Sequence, residues 1–262
     1  MTLAEIRNNA SITGRVIGAV MLRDMRTRLS GTRFGYLFAV LVPFVHIFAL
    51  VMVYTFLGRQ APIGTDPVIF FAMGILPFML LLYPMGQITR ALVSNRALLH
   101  FPRVRPTDII AARVLLEALN GCNVCAIVLL GLVVLGHEFE PQDFARLFGG
   151  LALAFGVGAG FGVVFALLGA MWQPILLFSM IMRLGFYLTS GIFFLPGTLP
   201  KQVRDILWFN PLVHPIELVR EAYYADYTSN ILAVSYSVGF IVVCLLLALV
   251  IEYFVRNLLV YR

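Results

Sequence analysis

The chain has 262 residues, 61% of them hydrophobic and 12% charged, where a soluble domain carries roughly 25% charge. This composition excludes an ordinary soluble domain and predicts an integral membrane protein. The net charge of +6 comes from too few ionisable groups to build a continuous basic surface, so no nucleic acid is expected as a partner; arginines gathered on one side of a bilayer account for it.

Residues 1–33 lack an apolar core segment and carry Arg7, Arg15, Arg23, Arg26, Arg28 and Arg33, which predicts no cleavable signal. Within them, 11–30 reads as an amphipathic helix lying on the membrane surface. Met21, Leu22, Met25 and Leu29 form an apolar stripe at helical spacing, and Arg15, Arg23 and Arg26 share a neighbouring face. The plainer alternative is a positive-inside anchor.

Apolar runs predict six transmembrane helices, at about 34–57, 68–89, 109–136, 147–171, 174–195 and 231–254. The segments between them alternate in charge. Arg90, Arg96, Arg103 and Arg105 face only Asp108 in 90–108, whereas Glu138, Glu140 and Asp143 outnumber Arg146 in 137–146. By the positive-inside rule both termini are cytoplasmic, including the 255–262 tail, and one membrane domain spans 34–254. Residues 94–106 predict a short cytoplasmic helix with Ser94 as N-cap and a stop at Pro102, a lever for a partner's cleft; an ordinary basic loop is the alternative.

Inside the spans, Cys122 and Cys125 match a redox spacing but lack a strand–helix context, and with Cys244 they read as packing residues. Gly156–Gly160 and Gly158–Gly162 form two GxxxG pairs, expected to let helices approach closely, within the subunit or at a dimer contact. Two ionisable residues lie at similar depth, Glu117 and Arg183. Either they pair with each other, or Glu117 pairs with Arg113 at i, i+4 and Arg183 faces a conduit, favouring an anionic substrate. Ser179, Tyr187 and Ser190 extend the polar stripe of Arg183.

Residues 196–230 are cut by Pro196, Pro200, Pro211 and Pro215 into pieces too short to cross a bilayer. Two pieces keep helical character, Lys201–Phe209 and Pro215–Tyr224, the second with Pro at its first position. Such short re-entrant helices shape or cap a passage. The aromatics Phe193, Phe194, Trp208, Tyr223 and Tyr224 are either an interfacial belt or flat apolar faces for sugar rings.

Nothing in the sequence supplies an energy source. The one lysine, Lys201, sits in GTLPKQ, which does not fit a P-loop, and the glycine run fails the GxGxxG spacing. His46, His100, His137 and His214 have no metal-ligand spacing and no GxSxG elbow occurs, so neither a metal site nor an enzyme is predicted. A separate ATPase, binding ATP and Mg, would have to drive transport, and this chain needs no cofactor of its own.

LRDMRTRLSGTRFGYLFAVLVPFVH (22–46), FPRVRPTDIIAARVLLE (101–117) and SGIFFLPGTLPKQVRDILWFNPLVHPIELVRE (190–221) resemble the N-terminal motif, second cytoplasmic connection and pre-final-span segment of capsular polysaccharide export permeases, the membrane subunits of ABC-2 exporters. Leu29-Ser-Gly replaces an aromatic–glycine pairing often seen in that family. The resemblance implies an all-α, six-helix fold in the bacterial inner membrane, working as a homodimer with two nucleotide-binding subunits. It also implies a lipid-linked acidic polysaccharide as cargo, with a periplasmic adaptor (co-polymerase) and an outer-membrane exporter continuing the route. By position, 23–33 would be the interface helix, 95–106 the coupling helix and 201–224 the periplasmic gate helices. Coupling to the ATPase is then expected at Arg23, Arg26, Arg28, Asn95, Arg96, Leu99, Phe101, Arg103 and Arg105. The conduit is expected at Glu117, Arg183, Tyr187, Phe193, Phe194, Trp208, Tyr223 and Tyr224. A permease for O-antigen or teichoic-acid precursors, and a passive channel or scaffold, are the alternatives.

Overall fold

Prolines and acidic caps punctuate a chain that is otherwise a succession of apolar helices. A computed structural model describes residues 3–31, 35–101 and 104–260, with side chains for 11–26, 41, 44–101 and 104–254. Arg7, Arg28, Leu29, Arg33, Pro102 and Arg103, singled out above, lie outside the residues whose side chains are described. The helices are α1 (Leu3–Gly31), α2 (Gly35–Phe56), α3 (Pro67–Thr89), α4 (Ala91–Ser94), α5 (Pro106–Val134), α6 (Phe144–Met171), α7 (Ile175–Thr189), α8 (Lys201–Leu207), α9 (Val213–Tyr223) and α10 (Val234–Val260). Short 3-10 turns cover Arg96–His100 and Pro196–Thr198, and no strand occurs among the described residues.

Local chemistry explains the starts. Asp66 caps α3 by accepting from the Val68 amide at 2.8 Å, and Pro67 follows in the first turn, where its missing N–H leaves no bond unmade. Pro106 opens α5 in the same way, with the Asp108 carboxylate accepting from the Arg105 amide at 3.0 Å. Asp143 caps α6 through the Arg146 amide at 2.9 Å.

Helix α3 is the hub: 83% of its apolar window is buried, against 17% for α10, which is therefore an outer helix. Helix α6 packs along α3, and α9 and α10 pack on α6. The α6 glycines make both contacts possible. A Cβ on Gly158 would lie 2.7 Å from the Leu81 Cα of α3, and one on Gly160 would lie 3.1 Å from the Cys244 Cβ of α10. Gly162 faces α3 and Gly156 faces α10, so the two GxxxG pairs serve two faces of one helix inside the subunit.

Helices α3, α5, α6 and residues 234–254 of α10 are long and apolar enough to cross a membrane. Helix α2 has 22 residues, and α7 has 15, or about 22 Å against a hydrocarbon core of about 30 Å. The expected 174–195 helix therefore ends early. Ser190 closes it, and Gly191, at φ +82°, reverses the chain into a turn that brings Pro196 against it.

Three further expectations are corrected. The N-terminal helix is longer than 11–30, running from Leu3 to Gly31. Ser94 does not cap a helix over 94–106: it ends α4, its hydroxyl turning back to the Arg90 carbonyl at 2.8 Å, and only the 3-10 turn follows. Pro215 is not the first residue of α9, which starts at Val213; as the third residue it still falls in the first turn, where an amide has no helical partner.

Candidate transport and coupling site

The polar side chains gather at three levels. At the level where α1, α4 and α5 meet, Arg113 of α5 is the centre. Its Nη1 donates to Asp24 of α1 at 3.1 Å, its Nη2 to the Gln87 amide oxygen of α3 at 2.5 Å, and its Nε lies 3.2 Å from Glu117, one turn on. Asp24 is 7% and Glu117 4% exposed, so each carboxylate is held by the guanidinium rather than by water. Arg23 pairs with Asp24 at 3.0 Å and also donates to the Asn95 side-chain oxygen, just after α4. Asn95 is itself fixed by donating to the Ala91 carbonyl at 2.9 Å. One bonded group thus ties α1, the end of α4, α3 and α5 together.

At the second level, His46 of α2 and Tyr187 of α7 share a hydrogen bond of 2.5 Å beside Phe78, whose ring is tilted against Tyr187 at 4.8 Å. Phe193 closes on the same tyrosine at 5.0 Å, and the Tyr54 hydroxyl donates to the Phe193 carbonyl. Arg183, one turn before Tyr187, lays its guanidinium against Gly86 of α3, where any larger side chain would collide with it. Its Nε is buried without a hydrogen-bond partner.

The third level is a plug built around α9. Arg220 and Glu217 are both fully buried and pair at 3.2 Å. Arg220 also donates to the Ile192 and Phe194 carbonyls at 3.3 and 3.4 Å, and its guanidinium lies 4.4 Å over the Phe70 ring. Tyr227 and Ser229 donate to the other Glu217 oxygen at 2.5 and 2.6 Å. Burial, reinforced by the Glu217 charge, pushes the Tyr227 hydroxyl pKa well up, so it stays a donor. His214 is buried too: its Nε2 faces the Trp208 carbonyl at 3.0 Å and its Nδ1 accepts from the Ala233 amide at 3.2 Å. Burial lowers its pKa, keeping the ring neutral.

This plug is pinned to the loops around it. The Asp143 amide donates to the Ala222 carbonyl at 3.0 Å, and the Tyr223 hydroxyl donates to the Glu138 carbonyl. His137 meets Asp66 at 2.6 Å, joining the α5–α6 loop to the cap of α3.

Residues 15–224 match the ABC-2 type transporter family. The chain belongs to that family. It is 31% identical over 244 residues to a polysialic acid transport protein KpsM of Escherichia coli, covering 93% of this chain and 94% of the relative. It is 30% identical over 257 residues to the capsule polysaccharide export inner-membrane protein BexB of Haemophilus influenzae, covering 90% and 88%. The corresponding inner-membrane protein CtrC of Neisseria meningitidis serogroup A is 29% identical over 230 residues, covering 82% and 81%.

In this ABC-2 subunit the expected coupling residues share one end. Arg26, Arg96, Phe101 and Arg105 are exposed, Phe101 by 60%, while Leu99 anchors the 3-10 turn against the Ile88–Ala91 cluster. The expected conduit residues do not form one group. Glu117 belongs to the Arg113 cluster, and its partner is Arg113, the second of the two arrangements left open above. Arg183, Tyr187 and Phe193 sit together along α7 and its exit. Trp208 instead packs edge-to-face on His214 and tilted against Tyr236, and Tyr223 edge-to-face on Tyr224 and tilted against Phe139. The Ser179 and Ser190 hydroxyls turn to their own helix carbonyls.

Sequence reasoning did not select Asp24, Gln87, His46, Glu217 or Arg220 as site residues. Asp24 had a visible signal, an acid inside an arginine-rich helix. Glu217 and Arg220 stand at i, i+3, the spacing of a helical ion pair, but their complete burial has no mark in the sequence.

Proposed function

We propose that this chain is the transmembrane permease subunit of an ATP-driven exporter that moves a lipid-linked capsular polysaccharide across the bacterial inner membrane. Its likeness over nearly its whole length to inner-membrane proteins of capsule polysaccharide export carries the reading. The geometry fits it. The α1–α4 end offers exposed basic residues and the bare Phe101 ring to a separate nucleotide-binding subunit, and the Arg113 cluster links that end to α3 and α5. In this reading α1 and α4 face the cytoplasm with both termini, and the α9 plug caps the periplasmic mouth.

Helices α2 and α7 complete a set of six spans, α7 crossing with help from the turn that follows it. Two subunits enclose the path between them, served by two ATPase subunits. A periplasmic adaptor and an outer-membrane component receive the polymer. The half-buried rings of Tyr187 and Phe193 offer apolar surface to sugar rings on the way.

Deleting the gene from its host and restoring it on a plasmid tests the assignment. Surface polysaccharide should vanish on deletion, with the lipid-linked polymer retained inside the cell, and should return on complementation. Normal surface polysaccharide in the deletion strain would refute the reading.

A further inference from the structure

Helix α3 carries a weak point near the end that joins α4. Pro84 lies inside the helix and lacks the N–H that would bond the Leu80 carbonyl. Beyond it the Thr89 hydroxyl donates to the Met85 carbonyl at 2.6 Å, a back-bond that bends helices. The helix ends at Thr89 and α4 runs from Ala91 to Ser94, so residues 85–94 form a short arm behind a proline. Gly162 of α6 meets Met85 and Ile88 of this arm without a side chain, so no knob from Gly162 pins it there.

Two arginines clasp the arm at consecutive residues. The Gln87 side chain accepts from Arg113 of α5 at 2.5 Å, and Arg113 donates in turn to Asp24 of α1 at 3.1 Å. Gly86 leaves a gap that the Arg183 guanidinium of α7 fills. Consecutive helical residues point about 100° apart, so the two arginines reach α3 from different sides. Helix α1 packs along α5 and α2, and the Arg113 guanidinium bonds it onward to α3. Just past the arm, the Asn95 side chain accepts from Arg23 of α1. A displacement of α1 therefore reaches the chain at two points, both beyond Pro84. The Arg183 Nε has no hydrogen-bond partner among the described residues, so the Gly86 gap sets the place of its guanidinium. What moves the arm moves that gap.

We propose that Pro84 is a hinge and Gln87 the link through which movement of α1 sets the position of Arg183. Both are positioning residues, acting on Arg183 through the backbone of α3. Their use in ATP-driven export rests on the proposed function; the link from Gln87 to α7 does not, and it is measured on the purified chain. Hydrogen exchange in detergent, followed at amides 179–187 of α7, tests it. Q87L removes the acceptor for Arg113 on the far side of α3, and should speed exchange in α7 about threefold. Q87E keeps that acceptor and should leave α7 as it is in the unaltered chain. P84A restores the missing helical N–H, and in that background Q87L should no longer reach α7.

Exchange in α7 that Q87L leaves unchanged would overturn the link, as would a Q87E chain that behaves like Q87L. An equal rise in Q87L and in the P84A/Q87L double variant would overturn the hinge. With the proposed nucleotide-binding subunit present, Q87L and P84A should each keep ATP hydrolysis and lose most of the polymer exported per ATP. The predicted exchange pattern in a chain that exports nothing, altered or unaltered, would leave the link standing and remove only the export reading.

Discussion

The two ends of the molecule use buried charge in opposite ways. At the α9 end, Arg220 and Glu217 are sealed from solvent, and their partners come from the chain on either side of α8 and α9: Ile192 and Phe194 before them, Tyr227 and Ser229 after them. At the α1 end, Arg113 and Glu117 are nearly as buried, but the network continues outward through Asp24 to Arg23, whose side chain is 43% exposed, and on to Asn95. A sealed pair has one low-energy arrangement, because every lost bond leaves a charge without water. A network with one wet end can exchange a bond for a water at little cost, and so can move. The first end is built as a fixed plug and the second as a joint.

The sharpest way to break this contrast is to remove the plug's cation. Arg220→Met leaves Glu217 buried and uncompensated and should cost about 3–5 kcal/mol, read as a lowered unfolding midpoint in detergent. Adding Glu217→Met should recover part of that loss; a double variant no better than the single would show that the pair is not the unit holding α9. Next in size is the packing that carries both ends. Gly158→Val should cost roughly 1–3 kcal/mol by pushing α6 off Leu81, while Gly149→Ala, with open space at its Cβ, should be close to neutral in the same assay.

At the joint, Arg23→Ala and Asn95→Ala should be mild in stability. A double-mutant cycle should return a coupling of only about 0.5 kcal/mol, because the half-exposed Arg23 can replace the buried Asn95 oxygen with water. Both should nonetheless lower ATP-dependent export while leaving the subunit folded. The smallest effect belongs to pH. Because the folded His214 pKa is lowered, the unfolded chain takes up a proton near pH 6.5 that the folded chain refuses. Unfolding is therefore favoured progressively as pH falls below that value and is unaffected above it. His214→Asn should shrink the loss of unfolding midpoint between pH 7 and pH 5; an undiminished loss would move the pH response to another group.

Much of the fold could be read from the chain alone because it is written in local patterns. Apolar run length, Asp and Pro at helix starts and glycine at i, i+4 each report on a few neighbouring residues, and α3, α5 and α6 lie within three residues of their expected bounds. The errors fell where the local pattern allows two outcomes. Ser94 had the chemistry of a cap, but its hydroxyl found its own helix's carbonyl. Helix α7 continued in the apolar pattern until a glycine at positive φ turned it. For the candidate site, Arg183 and Glu117 stood out as charges in apolar spans, whereas the burial of the Arg113–Glu117 pair depends on how α1, α3 and α5 meet, and the setting of Arg183 on how α7 meets α3. The Arg220 plug was hidden for the same reason. An ion pair spaced three residues apart looks identical on an exposed helix and inside a sealed core.

The difference between plug and joint is most directly tested by hydrogen exchange of the chain reconstituted with the proposed nucleotide-binding subunit, with and without a non-hydrolysable ATP analogue. Amides in 20–26 and 91–101 should change protection on nucleotide binding, while those in 213–223 stay protected in both states. Unchanged exchange at the α1–α4 end together with nucleotide-dependent opening of α9 would contradict the account.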